Sequence, residues 1–171
     1  MPKLKKSIEK KEALLNATLN LVNESGFQGA SMAKIAKTAN VSPATIYLYF
    51  KNKQDLVNQL YLEVKTSFSN QAFKDIDESL PVKIRFEQIW YNIADFKFNQ
   101  KEEALFLSQC DNTPIVDESI RKEGLKHLQP LIDLWDQGKE EGVIKHISHY
   151  LMYAMTIYPM AFLMNKHVEI H

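Results

Sequence analysis

The sequence is short of several residue types, and each shortage excludes a class of protein. Its 171 residues include one cysteine, Cys110, so neither an internal disulfide nor a multi-cysteine zinc site is available. There are only five glycines, and this shortage, together with the periodicity described below, favours an all-α fold. No signal peptide, lipidation motif or apolar run of membrane-spanning length appears, which predicts a soluble, cytoplasmic protein with no membrane partner. We see no glycine-rich phosphate loop and no nucleophile–base pair, so neither an enzyme nor a cofactor is predicted.

Helical periodicity of apolar residues recurs along the chain and predicts an all-α fold. Apolar residues make up 45% of the sequence and charged residues 25%, which is typical of a globular chain with a core. The periodicity and the breakers predict helices at about residues 7–25, 31–39, 43–50, 53–74, 82–99, 102–110, 113–141 and 148–165. Pro130 and Pro159 lie inside the last two of these and predict a kink or a break in each.

The net charge is zero, yet the charges are divided unequally along the chain. Residues 1–53 carry nine lysines against three glutamates, a net charge of +6, and residues 54–171 carry the opposite excess. Residues 1–6, with lysines at 3, 5 and 6, are predicted to form a short, mobile basic arm. A basic head on an acidic body directs phosphate binding to one end of the molecule, although solvation of a surface helix is the simpler explanation for Lys10 and Lys11.

Residues 31–53, SMAKIAKTANVSPATIYLYFKNK, carry the most informative pattern in the sequence. Ser31 is a candidate cap for a first short helix, and Asn40 tolerates the left-handed backbone conformation that ends one. Ser42 followed by Pro43 is a strong start signal for a second helix. Two short helices joined by a tight turn indicate a helix-turn-helix.

The second helix of the motif has an inner side and an outer side. Ile46 and Phe50 are four residues apart and are predicted to pack inward. The outer side, which we call the reading face, consists of Ala44, Thr45 and Leu48. These small or apolar groups allow close approach to a major-groove floor and contact with thymine methyls. Because the reading face has no arginine, asparagine or glutamine, we expect base selection to depend on DNA shape and methyl contacts.

Other polar groups around the motif are predicted to hold phosphates, which set affinity more than sequence preference. The candidate DNA-binding set is Ser31, Lys34, Ser42, Pro43, Ala44, Thr45, Tyr47, Leu48, Tyr49 and Lys53. The basic arm is expected to reach into a groove. Simple packing is the alternative for Tyr47 and Tyr49, and a solvated surface lysine is the alternative for Lys53.

The stretch GFQGASMAKIAKTANVSPATIYLYFKNKQDL resembles the DNA-binding segment of the tetracycline-repressor (TetR) family of bacterial regulators. The shared elements are Gly26-Phe27, Ile35-Ala36, Ala39, Val41-Ser42, Tyr47, Tyr49-Phe50, Lys53 and Leu56. Asn40 replaces the usual glycine, and Ser31 replaces the common threonine. The chain is short for this family, which usually ends with one more long helix, so we expect a truncated chain or a reduced dimer surface.

The resemblance implies a three-helix DNA-binding head in residues 1–53 and a helical ligand-binding and dimerisation body in residues 54–171. It implies a homodimeric repressor that releases a palindromic double-stranded operator when a small hydrophobic or cationic effector binds the body. The candidate effector-binding residues are Phe86, Trp90, Ile93, Phe106, Trp135, Met152, Met155 and Tyr158. Ordinary core packing is the alternative for each of them.

Other polar residues of the body are weaker candidates. Asp95 or Glu87 is suited to balance a cationic effector or to face water. His146 and His149 are three residues apart, but without a third ligand they do not predict a metal site, and Cys110 is more typical of a core residue than of a redox sensor. The alternative to a repressor is a helical small-molecule-binding or adaptor protein that binds no operator.

Overall fold

The computed structural model describes residues 2–163, and every regular element in that range is helical, as predicted. There are ten α-helices and one 3₁₀ turn at Lys126–Leu128 in this part of the chain. The α-helices are α1 Pro2–Gly29, α2 Met32–Thr38, α3 Pro43–Ile46, α4 Lys53–Ala72, α5 Val82–Asn99, α6 Lys101–Asn112, α7 Glu118–Leu125, α8 Gln129–Glu140, α9 His149–Thr156 and α10 Tyr158–Leu163. Within the described range, none is long and apolar enough to span a membrane.

Two compact units divide the described chain. The first runs to Val64 and also includes Leu105–Arg121, whereas the second contains Lys65–Ala104 and resumes at Lys122. The boundary predicted after residue 53 separates functions and stays a prediction. The packing units do not follow this boundary, because most of α4 and part of α6 belong to the same compact unit as residues 1–53.

The core of the first unit forms where the predicted apolar lines of α1, α2, α3 and α4 meet. Its buried side chains include Leu14, Val22, Ile35, Ala36, Ile46, Phe50, Leu56 and Val57, each no more than 1% exposed. The inward orientation predicted for Ile46 and Phe50 is therefore confirmed. Burial of these large apolar groups provides most of the stabilisation of a small helical unit.

Helix α1 differs from the prediction at both ends. The expected mobile arm is wrong, since residues 2–6 are the first turns of α1 and not a separate segment. Near the other end, Gly26 has φ +68° and ψ 173°, a conformation essentially restricted to glycine, and it kinks the helix before its last residues. The first helix was predicted to end at about residue 25. Instead it bends at Gly26, and one more turn follows.

The second unit is built on the packing of α5 against α8 and α10. The predicted bounds of α5 are confirmed. Its large apolar residues lie more than half-way round the helix and predict burial on most sides, and this prediction is wrong. Its buried side chains, among them Ile89, Ile93 and Phe96, occupy one face, and Tyr91 on another face is 68% exposed. The predicted helix at 113–141 is split, with Pro130 in the first turn of α8. The last helix breaks at Ile157, next to Pro159, and its predicted end at 165 lies outside the described residues.

Candidate nucleic-acid interface

The turn of the helix-turn-helix has the predicted geometry. Asn40 adopts φ +54°, the left-handed conformation expected of it. Ser42 caps α3 by accepting a hydrogen bond from the Thr45 amide at 3.2 Å, and Pro43 occupies the first helical turn. The Val41 amide donates to the Ala36 carbonyl at 2.9 Å and ties the turn to α2. The angle between the two helices is thus fixed by local hydrogen bonds.

Helix α3 is shorter and tighter than the predicted span of residues 43–50. The α-helix ends at Ile46, and the chain continues as a turn in which the Leu48 and Tyr49 amides donate three residues back, to Thr45 and Ile46. Bonds of this spacing wind the backbone more narrowly than an α-helix. The turn ends with Phe50 buried at 1% exposure, so core anchoring limits how far the helix extends.

The reading face projects into solvent from this turn. Leu48 is 81% exposed, the largest exposure among the large apolar side chains described in the head, and Ala44 is also exposed. Thr45 is half-buried, and its hydroxyl lies 2.7 Å from that of Ser42. A single exposed leucine is common on protein surfaces. This one is informative because it stands on the outer side of the motif, where the sequence predicted contact with DNA.

The predicted phosphate contacts on α2 stand on its outer side. Ser31 caps the helix by accepting from the Lys34 amide at 3.3 Å, and both residues are exposed. An open depression of about 490 Å³ lies between α2 and the start of α3, lined by Ala33, Lys37, Asn40, Val41, Ser42 and Pro43. Lys37, which lines this depression, is not in the sequence-based set, although it lies three residues after Lys34 on the same helix.

The two tyrosines of the predicted DNA-binding set differ in their surroundings. Tyr47 is 58% exposed. Tyr49 is half-buried, and its hydroxyl lies 3.2 Å from the hydroxyl of Ser7 on α1, forty-two residues earlier. Ser7 was predicted only to begin a helix, and no local sequence signal places it beside the motif.

Lys53 makes two contacts inside the first unit. Its Nζ donates to the Phe27 carbonyl at 2.9 Å and lies 4.1 Å from the centroid of the Phe27 ring. Both contacts fasten the start of α4 to the chain just after the Gly26 bend. The lysine is half-buried. The ammonium group that was predicted to bind a phosphate therefore already connects α1 to α4.

Asp55 occupies the N-terminal turn of α4. Its carboxylate accepts from the Lys51 amide at 2.8 Å and from the Gln59 side-chain amide at 3.0 Å. Asn52 in turn accepts from the Asp55 amide at 2.8 Å, so the first turn is capped by the chain itself. The hydrogen bond from Gln59 and that from Lys51 lower the pKa of Asp55, and the nearby lysines 51 and 11 add to this.

We expect Asp55→Ala to destabilise the protein in a pH-dependent way. A carboxyl group whose pKa is lowered by folding stabilises the native state above its ordinary value of 3.8, and this contribution disappears as pH falls through the lower native value. Melting temperatures of wild type and variant should therefore differ most near neutral pH and converge as the pH falls below 3.8. A difference that is constant over this range would show that the charge is irrelevant.

The candidate effector-binding residues differ in burial and in the unit to which they belong. Phe106 is fully buried in the first unit. Met155 and Tyr158 belong to the second unit but are 65% and 52% exposed. Ile93 is buried on α5 in the same row as Ile89 and Phe96, a position typical of core packing.

Three of the predicted residues, Phe86, Trp90 and Trp135, lie where α5, α8 and α9 meet. Met152 lies on α9 between His149 and Thr156, which contact Trp135 and Trp90, and its helical spacing from them places it on the same face. We call Phe86, Trp90, Trp135 and Met152 the aromatic cluster. The Phe86 and Trp135 rings are 6.4 Å apart. Trp90 donates from its indole N–H to the Thr156 carbonyl at the end of α9 at 2.9 Å. Trp135 is 2% exposed, and its own indole N–H has no hydrogen-bond partner among residues 2–163.

His149, which the sequence offered as a weak metal ligand, lies at the edge of the aromatic cluster. Its ring stacks on Trp135 at 6.3 Å, and its Nε2 is 2.6 Å from the Asp136 carboxylate. A hydrogen bond from Lys139 and then that from His149 lower the pKa of Asp136. Asp95, the possible counter-charge, is exposed and accepts from Gln71 and Asn99, and Glu87 is exposed beside Lys83.

A three-helix head with a capped turn and an exposed outer helix defines a helix-turn-helix protein, and comparison with known proteins gives the family. Residues 14–60 match the model described as bacterial regulatory proteins of the tetR family. Residues 81–171 match the tetracycline repressor-like C-terminal domain. The chain belongs to the TetR family and is a helix-turn-helix DNA-binding transcriptional regulator, a non-enzymatic class, as the sequence predicted.

Individual relatives agree with this assignment. An uncharacterised helix-turn-helix regulator of Haemophilus influenzae is 30% identical over 150 residues, which span 85% of this chain and 76% of that protein. The crystal structure of a TetR-family regulator from Haemophilus influenzae superimposes with a TM-score of 0.77 at 29% identity, covering 92% of this chain and 84% of the other. A Bacillus subtilis regulator in complex with stearoyl-CoA has the same fold, with a TM-score of 0.69 at 23% identity over 90% of this chain and 84% of its own.

Proposed function

We propose that this protein is a homodimeric repressor whose heads bind the two halves of a palindromic operator and whose second unit binds a small effector. The observation that carries the proposal is the exposed reading face on a basic head. The face offers apolar contact to base edges, while Ser31, Lys34, Lys37 and Tyr47 stand around it for phosphates. Two such heads with two-fold symmetry fit successive major grooves on one side of a duplex.

A homodimer is supported by apolar side chains of the second unit that are exposed in the described part of the chain. Along α9 and α10, Leu151, Met155 and Tyr158 recur at spacings of four and three residues and are 44%, 65% and 52% exposed. Tyr150 beside them is 84% exposed. A helical stripe of this kind costs free energy in water and is typical of a protein interface. Its self-complementary pairing about a two-fold axis would set the distance between the two heads.

The proposed effector site is the aromatic cluster. Its rings and the flexible Met152 suit a flat or elongated hydrophobic molecule, and their faces also suit a cation. The buried indole N–H of Trp135 lacks a partner among the described residues, so an effector with an oxygen acceptor would remove an energetic penalty. Release of DNA then requires that the effector favour one spacing of the heads over the other.

The test combines DNA binding, effector release and mass measurement. Labelled duplex from the region upstream of the protein's own gene is titrated with protein, and light scattering gives the stoichiometry. We expect two chains per duplex and an affinity that falls with salt. Stearoyl-CoA and tetraphenylphosphonium are then added as an acyl probe and a hydrophobic cation, and we expect one of them to release the DNA.

Two variants separate the parts of this proposal. Trp135→Phe removes the buried N–H and should weaken the response to the active probe, whereas Tyr91→Phe, an exposed aromatic on α5, is the matched control. Failure of wild type to retard DNA at any salt concentration would rule out operator binding. Retardation that neither probe reverses would rule out both proposed effector classes and leave operator binding intact.

A further inference from the structure

We infer that α1 carries a second phosphate-binding surface, formed by Ser7 and Lys10 together with the Tyr49 hydroxyl. The inference rests on DNA binding by the helix-turn-helix and does not depend on dimerisation or on an effector. It starts from the contact between α1 and the end of the motif, where the hydroxyls of Ser7 and Tyr49 are 3.2 Å apart. We call Ser7, Lys10, Lys11 and Tyr49 the α1 surface.

The two hydroxyls leave one hydrogen to give away. In a pair of hydroxyl groups, one O–H is used in the bond between them, and the other O–H remains available to an outside acceptor. Either group can be the internal donor. Ser7 and Tyr49 are both half-buried, so the pair is held in place but not sealed from solvent. A phosphate oxygen is an acceptor only and fits this remaining donor.

The charges of α1 are sorted around its axis in the manner such a surface needs. At about 100° per residue, Lys10 and Lys11 lie within about 60° of Ser7, whereas Glu9 and Glu12 lie about 140° or more away. Lys10 is exposed and Lys11 half-buried. The side of α1 that meets Tyr49 is therefore basic, and the acidic groups of the same turns point elsewhere.

The same side of α1 borders the start of α4. Lys11 is close enough to Asp55 to help lower the pKa of its carboxyl. Asp55 is the acidic group of α4 that faces this surface, and its carboxylate also accepts hydrogen bonds from the Lys51 amide and the Gln59 side chain. The lysines therefore exceed the acids where α1, the end of the motif and α4 come together.

Because these residues lie on a formed helix, the α1 surface is ordered before DNA binds. A flexible arm would pay an ordering cost each time it bound, while lysines on a formed helix are already placed. Since α1 is helical from Pro2, the α1 surface is held at a fixed distance from the reading face by the Ser7–Tyr49 bond. It would contact the backbone beside the groove that the reading face enters.

The experiment measures binding to a mixed-sequence DNA duplex by fluorescence anisotropy over a range of salt concentrations. The variants are Ser7→Ala, Tyr49→Phe, the double variant and Lys10→Ala. Lys5→Ala is the matched control, because Lys5 is also an exposed lysine of α1 but lies about 160° from Ser7. Thermal melts establish that each variant is folded.

We expect Lys10→Ala to lower the slope of log affinity against log salt by about 0.9, the value for one lost phosphate contact. Each hydroxyl deletion should weaken binding by about 2- to 10-fold. The double deletion should cost less than the product of the two singles, because the two groups share one outward hydrogen bond. Lys5→Ala should change the affinity less than about twofold at physiological salt, where screening acts over about 8 Å.

Equal effects of Lys10→Ala and Lys5→Ala on affinity and slope, with hydroxyl deletions that change nothing, would overturn the α1 surface. Wild-type binding in the same assay would still stand for the helix-turn-helix, so the two conclusions fail separately. Multiplicative losses from Ser7→Ala and Tyr49→Phe would likewise contradict a shared phosphate contact.

Discussion

Replacing Leu48 by aspartate should abolish specific DNA binding while leaving the protein folded. Leu48 is 81% exposed at the tip of the reading face, so the change removes little buried area and should alter the free energy of unfolding by no more than about 0.5 kcal/mol. Against DNA, however, it sets a carboxylate where base edges and phosphates converge. Like charges brought together at an interface cost several kcal/mol, which corresponds to a loss of about 100-fold or more.

Leu48→Ala is the control at the same position. It removes the same apolar contact without adding a charge, so it should weaken operator binding by about tenfold at most, on the scale of one lost methyl contact. Anisotropy titrations and melting curves of the two variants give the comparison. Near-wild-type binding by the aspartate variant would mean that α3 does not face the DNA, whatever the rest of the head does.

The second large effect is expected from Asn58→Asp in the first unit. Asn58 is 8% exposed, and its side-chain amide donates to the Asp117 carboxylate at 2.7 Å while its oxygen accepts from the Asp117 amide at 3.2 Å. Gln54 bonds both Asn58 and the Ile115 carbonyl beside it. An aspartate at position 58 would place its carboxylate against that of Asp117, with no hydrogen to form a bond between them. We expect a loss of about 3 kcal/mol, the lower end for a broken buried pair because Asp117 is exposed.

Restoring the proton donor from the other side should rescue the protein. In the double variant Asn58→Asp with Asp117→Asn, the amide and the carboxylate exchange places, and the remaining donors still meet an oxygen at 58. We expect the melting temperature to recover most of a loss of about 6 °C or more. The single variant should also improve as pH falls, since protonation of either carboxyl supplies the missing hydrogen. A double variant no more stable than the single would show that the pair is not the cause.

The parts of the head fixed by neighbours in sequence could be predicted. Ser42 and Asn40 act through backbone groups within a few residues, so their types alone indicate a cap and a left-handed turn. Ile46 and Phe50 follow from helical spacing, and burial confirms both. The family pattern then extended these local signals to the whole fold.

The sequence could not show where a side chain meets a partner far along the chain. The Ser7–Tyr49 and Lys53–Phe27 contacts depend on how α1 packs, which spacing within α1 does not reveal. Phe106 was assigned to the body from its residue type, whereas its segment packs within the first unit. Tyr91 lies among the large apolar groups of α5 and is nevertheless exposed, since a helix with large apolar groups all round still has an outer side.

The return of Leu105–Arg121 to the first unit bears on how this regulator could be taken apart. Phe106 and Cys110 from that segment are fully buried, and Asp117 bonds Asn58 on α4. A chimera that grafts residues 1–64 onto another regulator's body would therefore leave the recipient to supply these groups. Transferring the DNA specificity of this protein requires that residues 1–64 and Leu105–Arg121 be exchanged together, because the two stretches form one compact unit.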